Sequence, residues 1–169
     1  MHLKKQDPAI VVQITKEFKK IDVRLSKLKK LVEATCKRFG LSRVTVSIAI
    51  VGDDCIRKVN KQFLNHNSIT DCLSFDLSGD KGVEPQKDTV EESSADFPRS
   101  FDLVVNGEMA IRESHLRGHS SEAELALYIT HGLLHNLGFD DCDPRQAKRM
   151  HKTEDEILQQ FGFGLVYNP

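Results

Sequence analysis

The sequence predicts an α+β fold, a single domain over residues 1–169 with one roughly four-stranded mixed sheet and about five packed helices, the second-last of which carries a metal site. Three observations lead there. Runs of alternating apolar residues interleave with runs of helical periodicity. A chain of 169 residues with 39% hydrophobic content fills one core and is short for two. The most apolar helical run, LALYITHGLLHNLGF, holds two histidines four positions apart.

The elements follow in order. Residues 10–14 read as a short strand, and residues 22–39 as an amphipathic helix with Leu25, Leu28, Val32 and Phe39 on one stripe and lysines opposite. RVTVSIAIV, residues 43–51, alternates as a strand, and Asp53 is placed to cap a helix running to about Phe63. Strands follow near 71–77 and 101–106, the second leading through Gly107 into a helix over 108–117. A helix over 121–138 carries the histidine pair, and one over 144–161 sets Ala147, Met150, Ile157, Leu158 and Phe161 at core spacing. Residues 77–100 lack hydrophobic periodicity and are polar and acidic, which reads as a flexible insertion with the length of a lid over the metal cleft.

Net charge is −1 and hides a division. Residues 1–62 hold 15 Lys and Arg against 6 Asp and Glu, and residues 63–169 hold 9 against 19. A basic face from Lys16, Lys19, Lys20, Arg24, Lys27, Lys29, Lys30, Lys37 and Arg38 suits a phosphate backbone; the alternative is a solvated face, or a docking surface for the acidic half. The four cysteines, Cys36, Cys55, Cys72 and Cys142, form no CxxC and fit reduced thiols. With no secretory leader and no apolar run near about 18 residues, the expected location is cytoplasmic, with no membrane partner.

The chemistry concentrates in THGLLHNLGFDD. His131 and His135 lie one turn apart on one helix face, and Gly138 stops the helix just before Asp140 and Asp141. Two imidazoles from a rigid helix and a third ligand from the returning segment make a metal site with a coordination position left open. The competing reading is a pair of hydrogen-bonded core histidines. A second HxxxH, His115 and His119, is interrupted by Gly118 and reads as surface and capping, with Ser120 or Ser121 as N-cap and Glu124 at capping-box distance from Ser121. Zinc proteases of the HExxH kind place a glutamate after the first histidine as general base; Gly132 stands there, which disfavours that activity.

HGLLHNLGFDD resembles the HGxLHLxGYDH signature of the YbeY family, bacterial metal-dependent endoribonucleases of ribosomal RNA maturation. Asn60 with Phe63, and TDCLSF from Thr70 to Phe75, are similar to that family's LNxxYR and TDVLSFP segments. FDLVV from Phe101, GHSSEAELA ahead of the histidines, and Met150 with EDEIL from Glu154 resemble the family's flanking elements, so the likeness spans roughly residues 10–162. The resemblance implies a zinc-dependent endoribonuclease acting on single-stranded RNA, in rRNA maturation and ribosome quality control, with ribosomal RNA or the small ribosomal subunit as partner and no small-molecule cofactor.

The departures bear on the chemistry. The family's third ligand is a histidine, and Asp141 aligns with it; a carboxylate serves zinc and also admits Mn2+ or Mg2+. Cys142 and, less favourably, Asp140 are rival third ligands. The family arginine of LNxxYR aligns with Leu64, and the proline before TDVLSF with Ile69. No side chain of the motif is an obvious general base, so no catalytic residue is assigned. The expected ligands are His131, His135 and Asp141, holding one Zn2+; the alternative function is a non-catalytic ribosome-assembly factor with a structural metal.

Overall fold

The structure is a computed structural model describing residues 9–79, 97–164 and 166. Its elements are β1 (Ala9–Lys16), α1 (Leu25–Arg38), β2 (Arg43–Val51), α2 (Asp53–Leu64), β3 (Cys72–Asp76), β4 (Arg99–Asn106), α3 (Gly107–Arg117), α4 (Ser121–Asn136) and α5 (Pro144–Gln160). The strands form one sheet in the order β1-β2-β4-β3; β1–β2 and β2–β4 pair parallel, while β3 and β4 pair antiparallel. The predicted mixed sheet with five helices is therefore observed, with bounds that shift by a few residues where helix ends fray.

The alternation of β2 divides the molecule into layers. Val44, Val46, Ile48 and Ile50 face a core shared with Leu28 and Val32 of α1, Leu125, Ile129 and Leu133 of α4, and Met150, Ile157 and Leu158 of α5. The opposite face carries a smaller cluster, Val51, Ile56 and Leu73 with Phe75 and Val104, beneath α2. Burial of this kind contributes about 25 cal/mol per Å² of apolar surface removed from water, which makes the larger layer the main stabiliser of the fold.

Helix α4 runs through the middle of the large core, with eleven of its residues buried. Its start is capped by Ser120, whose side chain accepts from the Ala123 N–H at 3.1 Å. The capping box expected between Ser121 and Glu124 does not form, because the Glu124 side chain turns into the interior. Arg24 ties down the first turn: its backbone N–H, Nε and Nη2 all donate to the Glu122 carboxylate, at 2.7, 3.1 and 2.7 Å. Likewise Asp53 is the first residue of α2, with Gly52 as N-cap, and its carboxylate accepts from Asn106 and Arg112.

The basic half is partly spent on the acidic half. Besides Arg24, Arg38 pairs with Glu156 at 2.6 Å, and Lys27 lies over the Phe163 ring; Lys29, Lys30 and Lys37 stay exposed. Most of the acidic insertion, residues 80–96, lies outside the described residues. Its two roots are pinned together, since the Leu77 N–H donates to the Ser100 carbonyl at 2.8 Å and Ser78 Oγ accepts from the Ser100 N–H at 3.0 Å. Among the described residues no helix is long and apolar enough to cross a membrane.

Candidate metal centre

Gly132 lets α4 lie against the sheet at the height of the histidines. A Cβ there would meet Cys72 Sγ at 2.5 Å and Leu103 Cδ2 at 3.2 Å, so no side chain fits. The absence of the HExxH glutamate is thus a packing requirement of this helix as well as a chemical departure. With residue 132 against β3, His131 and His135 occupy the adjoining stripe, half-buried.

Gly138 then adopts a φ of +93°, the left-handed region that favours glycine, and turns the chain back. The Phe139 N–H returns to the Leu134 carbonyl at 3.0 Å, closing the helix end, and the following residues bring Asp141 over the two rings. Asp143 restarts the helical chain as N-cap of α5, accepting from the Arg145 and Gln146 N–H groups, with Pro144 in the first turn.

Each imidazole is held from behind. His131 Nδ1 donates to the Glu154 carboxylate at 2.7 Å, and His135 Nδ1 donates to the Phe139 carbonyl at 3.1 Å. Beyond those rear contacts, the two Nε2 atoms face each other at 3.0 Å. Asp141 closes the triangle, its oxygens 3.8 Å from each Nε2. A tetrahedral zinc site needs about 3.3 Å between neighbouring donors, and the observed separations of 3.0 and 3.8 Å bracket it, so the donor set suits a divalent cation.

The surroundings reinforce the anionic character. Glu154 is 1% exposed, and its second oxygen has no hydrogen-bond partner among the described residues. Burial pulls the His131 pKa down, but the Glu154 hydrogen bond and the charges of Glu154, Asp71 and Asp141 outweigh it, leaving the ring raised above its ordinary value. Asp71 sits just before β3, its Oδ1 fixed by the Cys72 N–H at 2.7 Å and the Thr70 hydroxyl at 3.1 Å.

Of the residues expected at the site, His131, His135 and Asp141 come together, their ligand atoms all within 4.8 Å of one another. Cys142 and Asp140 group with Asp141 but not with the imidazoles, and the Asp140 Oδ1 is occupied by the Asp141 and Cys142 N–H groups. Leu64 ends α2 and is 50% exposed, beside Phe63, whose ring lies 5.5 Å from that of Phe75. Sequence reasoning missed Glu154 as the partner of His131. Its signal was available: an acid on the stripe that buries Met150, Ile157 and Leu158.

The second HxxxH also hides a missed feature. Glu124 is 0% exposed, and its carboxylate takes His119 Nε2 on one oxygen and Arg117 Nη1 at 3.3 Å on the other. Burial, then the charge of Glu124, pushes the Tyr128 phenol well above its usual range. His119 was expected on the surface; the buried acid one helical turn into α4 draws it inward.

Comparison with known proteins places this architecture. The family model for Endoribonuclease YbeY matches residues 13–162. An Endoribonuclease YbeY from Bacillus licheniformis is 31% identical over 157 residues, covering 91% of this chain and 96% of the relative. One from Staphylococcus epidermidis is 34% identical over 118 residues, covering 69% and 72%. The fold is shared with the solution structure of TM1509 from Thermotoga maritima, at a TM-score of 0.56 and 21% identity, with 89% of each chain covered. By sequence along nearly its whole length, the chain belongs to the YbeY family.

Proposed function

We propose that the protein is a zinc-dependent endoribonuclease that cuts single-stranded RNA during ribosomal RNA maturation, with His131, His135 and Asp141 as the ligands. The observation that carries the reading is the pair of apposed Nε2 atoms beside Asp141, in a chain whose relatives are named endoribonucleases. The cation, when bound, would supply Lewis-acid polarisation of a phosphoryl oxygen and acidification of water. The chain's own residues do the rest. Glu154 and the Phe139 carbonyl hold the two rings in the Nδ1-protonated tautomer, which keeps both lone pairs aimed at one point. Asp141 comes from the turn after Gly138 and is exposed, and with three protein ligands a fourth position would be left for a phosphodiester. Asp141 in place of a third imidazole also makes Mn2+ or Mg2+ workable ions.

The test is cleavage of a labelled single-stranded RNA by protein whose metal content has been measured by mass spectrometry. Activity should vanish with chelator and return with added zinc, and duplex RNA of the same sequence should resist. Cleavage that survives complete metal removal would overturn the reading.

A further inference from the structure

An RNA strand entering this site needs positive charge near the cleaved phosphate, and the position where the family carries arginine is Leu64 here. Most arginines of the described residues are already committed. Arg24, Arg38, Arg57, Arg99, Arg112 and Arg117 each pair with a carboxylate. Arg149 pairs with none among the described residues. Its guanidinium instead lies 5.2 Å over the centre of the Phe139 ring.

Phe139 is the residue that ties this cation to the ligands. Its carbonyl holds His135 Nδ1, its ring packs edge-on against Phe39 at 5.5 Å and 81°, and it stands two positions before Asp141. Arg149, Phe139 and Asp140 line one hollow of about 380 Å³ with Leu137, Gly138 and Gln146. The acid in that lining, Asp140, has its Oδ1 engaged by two backbone N–H groups. A guanidinium held beside a ring loses less freedom on binding, and its planar fork can make two parallel bonds to phosphate oxygens.

We infer that Arg149, stacked on Phe139 in the hollow behind the Gly138 turn, binds a phosphate of the RNA strand flanking the one that is cleaved. This rests on the ribonuclease reading above and deepens it by fixing where the strand leaves the ligand triad. From Arg149 the strand runs over the Phe139–Phe39 ring pair toward the C-terminal end of α1, where Lys37 is exposed. Cationic side chains beside aromatic rings are the combination that tracks single strands.

The experiment measures binding apart from cleavage. A short fluorescein-labelled 2′-O-methyl oligouridine, which lacks the free hydroxyl, is titrated with the zinc-loaded full-length protein, and anisotropy is read over a range of salt concentrations. Arg149→Ala should weaken binding about three- to tenfold at low salt and reduce the slope of log affinity against log salt by about 0.7, the share of one phosphate contact on a single strand. Arg149→Lys should restore the slope and only part of the affinity, because an ammonium neutralises the phosphate without the two-point geometry. Metal content and thermal midpoint should match wild type in both, since Arg149 is exposed. Unchanged affinity and slope in Arg149→Ala and Arg149→Glu would overturn the inference, as would a wild type that does not bind the oligonucleotide. The two readings fail separately. Chelator-sensitive RNA cleavage with Arg149-independent binding would refute this one alone, and Arg149-dependent binding without any cleavage would refute the nuclease reading alone.

Discussion

His131 and His135 lie on one unbroken helix, whereas His115 and His119, at the same spacing, are divided by Gly118 at a φ of +76°. In the first pair both Nδ1 atoms have acceptors and both Nε2 atoms face one point. In the second, His115 stays exposed on the last turn of α3 while His119 bends into the interior to meet Glu124, its own Nδ1 buried without a partner among the described residues. The two carboxylates invert the roles as well. Glu154 supports its histidine from behind and leaves the ring's other nitrogen free, while Glu124 consumes the Nε2 that could have bound something else. Spacing makes a ligand pair only when the helix continues through it and the rear nitrogens are anchored.

Breaking the comparison at its strongest point should give the largest effect. His135→Ala is expected to lower metal affinity by at least about a hundredfold, whereas His115→Ala should leave it unchanged. Zinc titration against a competing chelator checks both; equal losses from the two variants would put the metal elsewhere.

The acids sharpen the contrast by separating affinity from stability. Glu154→Ala should cost about ten- to a hundredfold in metal affinity, the usual penalty for removing the group behind a histidine ligand. Glu124→Ala should leave metal affinity intact and instead lower unfolding free energy by about 2 kcal/mol, because it strips the interior of the acceptor of His119 and the charge partner of Arg117. Urea denaturation and metal titration on both variants form the test, and a Glu124 variant with impaired metal binding would contradict the division of labour.

A smaller effect is expected at Gly132, the residue that seats the ligand helix. Gly132→Ala gains helix propensity but collides with Cys72 Sγ, for a net destabilisation of about 1–2 kcal/mol. Adding Cys72→Ala removes the collision and should recover most of the loss in a double-mutant cycle. If the two changes are merely additive, the contact between α4 and β3 is looser than these distances require.

The fold was legible where periodicity was unambiguous. The alternation of RVTVSIAIV placed β2, and the apolar stripe around LALYITHGLLHNLGF placed α4, because both patterns report burial directly. The convergence of His131, His135 and Asp141 was legible because all three lie within one short segment whose turn is marked by a glycine. What stayed hidden depends on contacts between distant segments. Glu154 finds His131 across 23 positions, and nothing local marks an acid on an apolar stripe as a partner instead of an error of pattern. Glu124 was misread for a related reason: its spacing from Ser121 fits a capping box, but burial beside His119 and Tyr128 outweighs that local bond. The spent arginines of the N-terminal half, Arg24 and Arg38, are likewise a tertiary fact, since charge counting cannot tell a pairing face from an RNA face.

The shortness of the ligand segment carries a thermodynamic consequence. His131 and Asp141 are only ten positions apart, so a chain that has lost its sheet still holds all three donors in one flexible stretch. Whatever affinity that stretch keeps for zinc is subtracted from the stabilisation that binding confers on the native state. The increment that survives is set by what the unfolded chain lacks, namely Glu154 behind His131 and the rigid helix between the rings. Zinc should therefore raise the melting temperature by less than its affinity for the folded protein alone implies. Replacing Glu154 should shrink that rise further while scarcely changing the affinity of the unfolded chain for metal under denaturant.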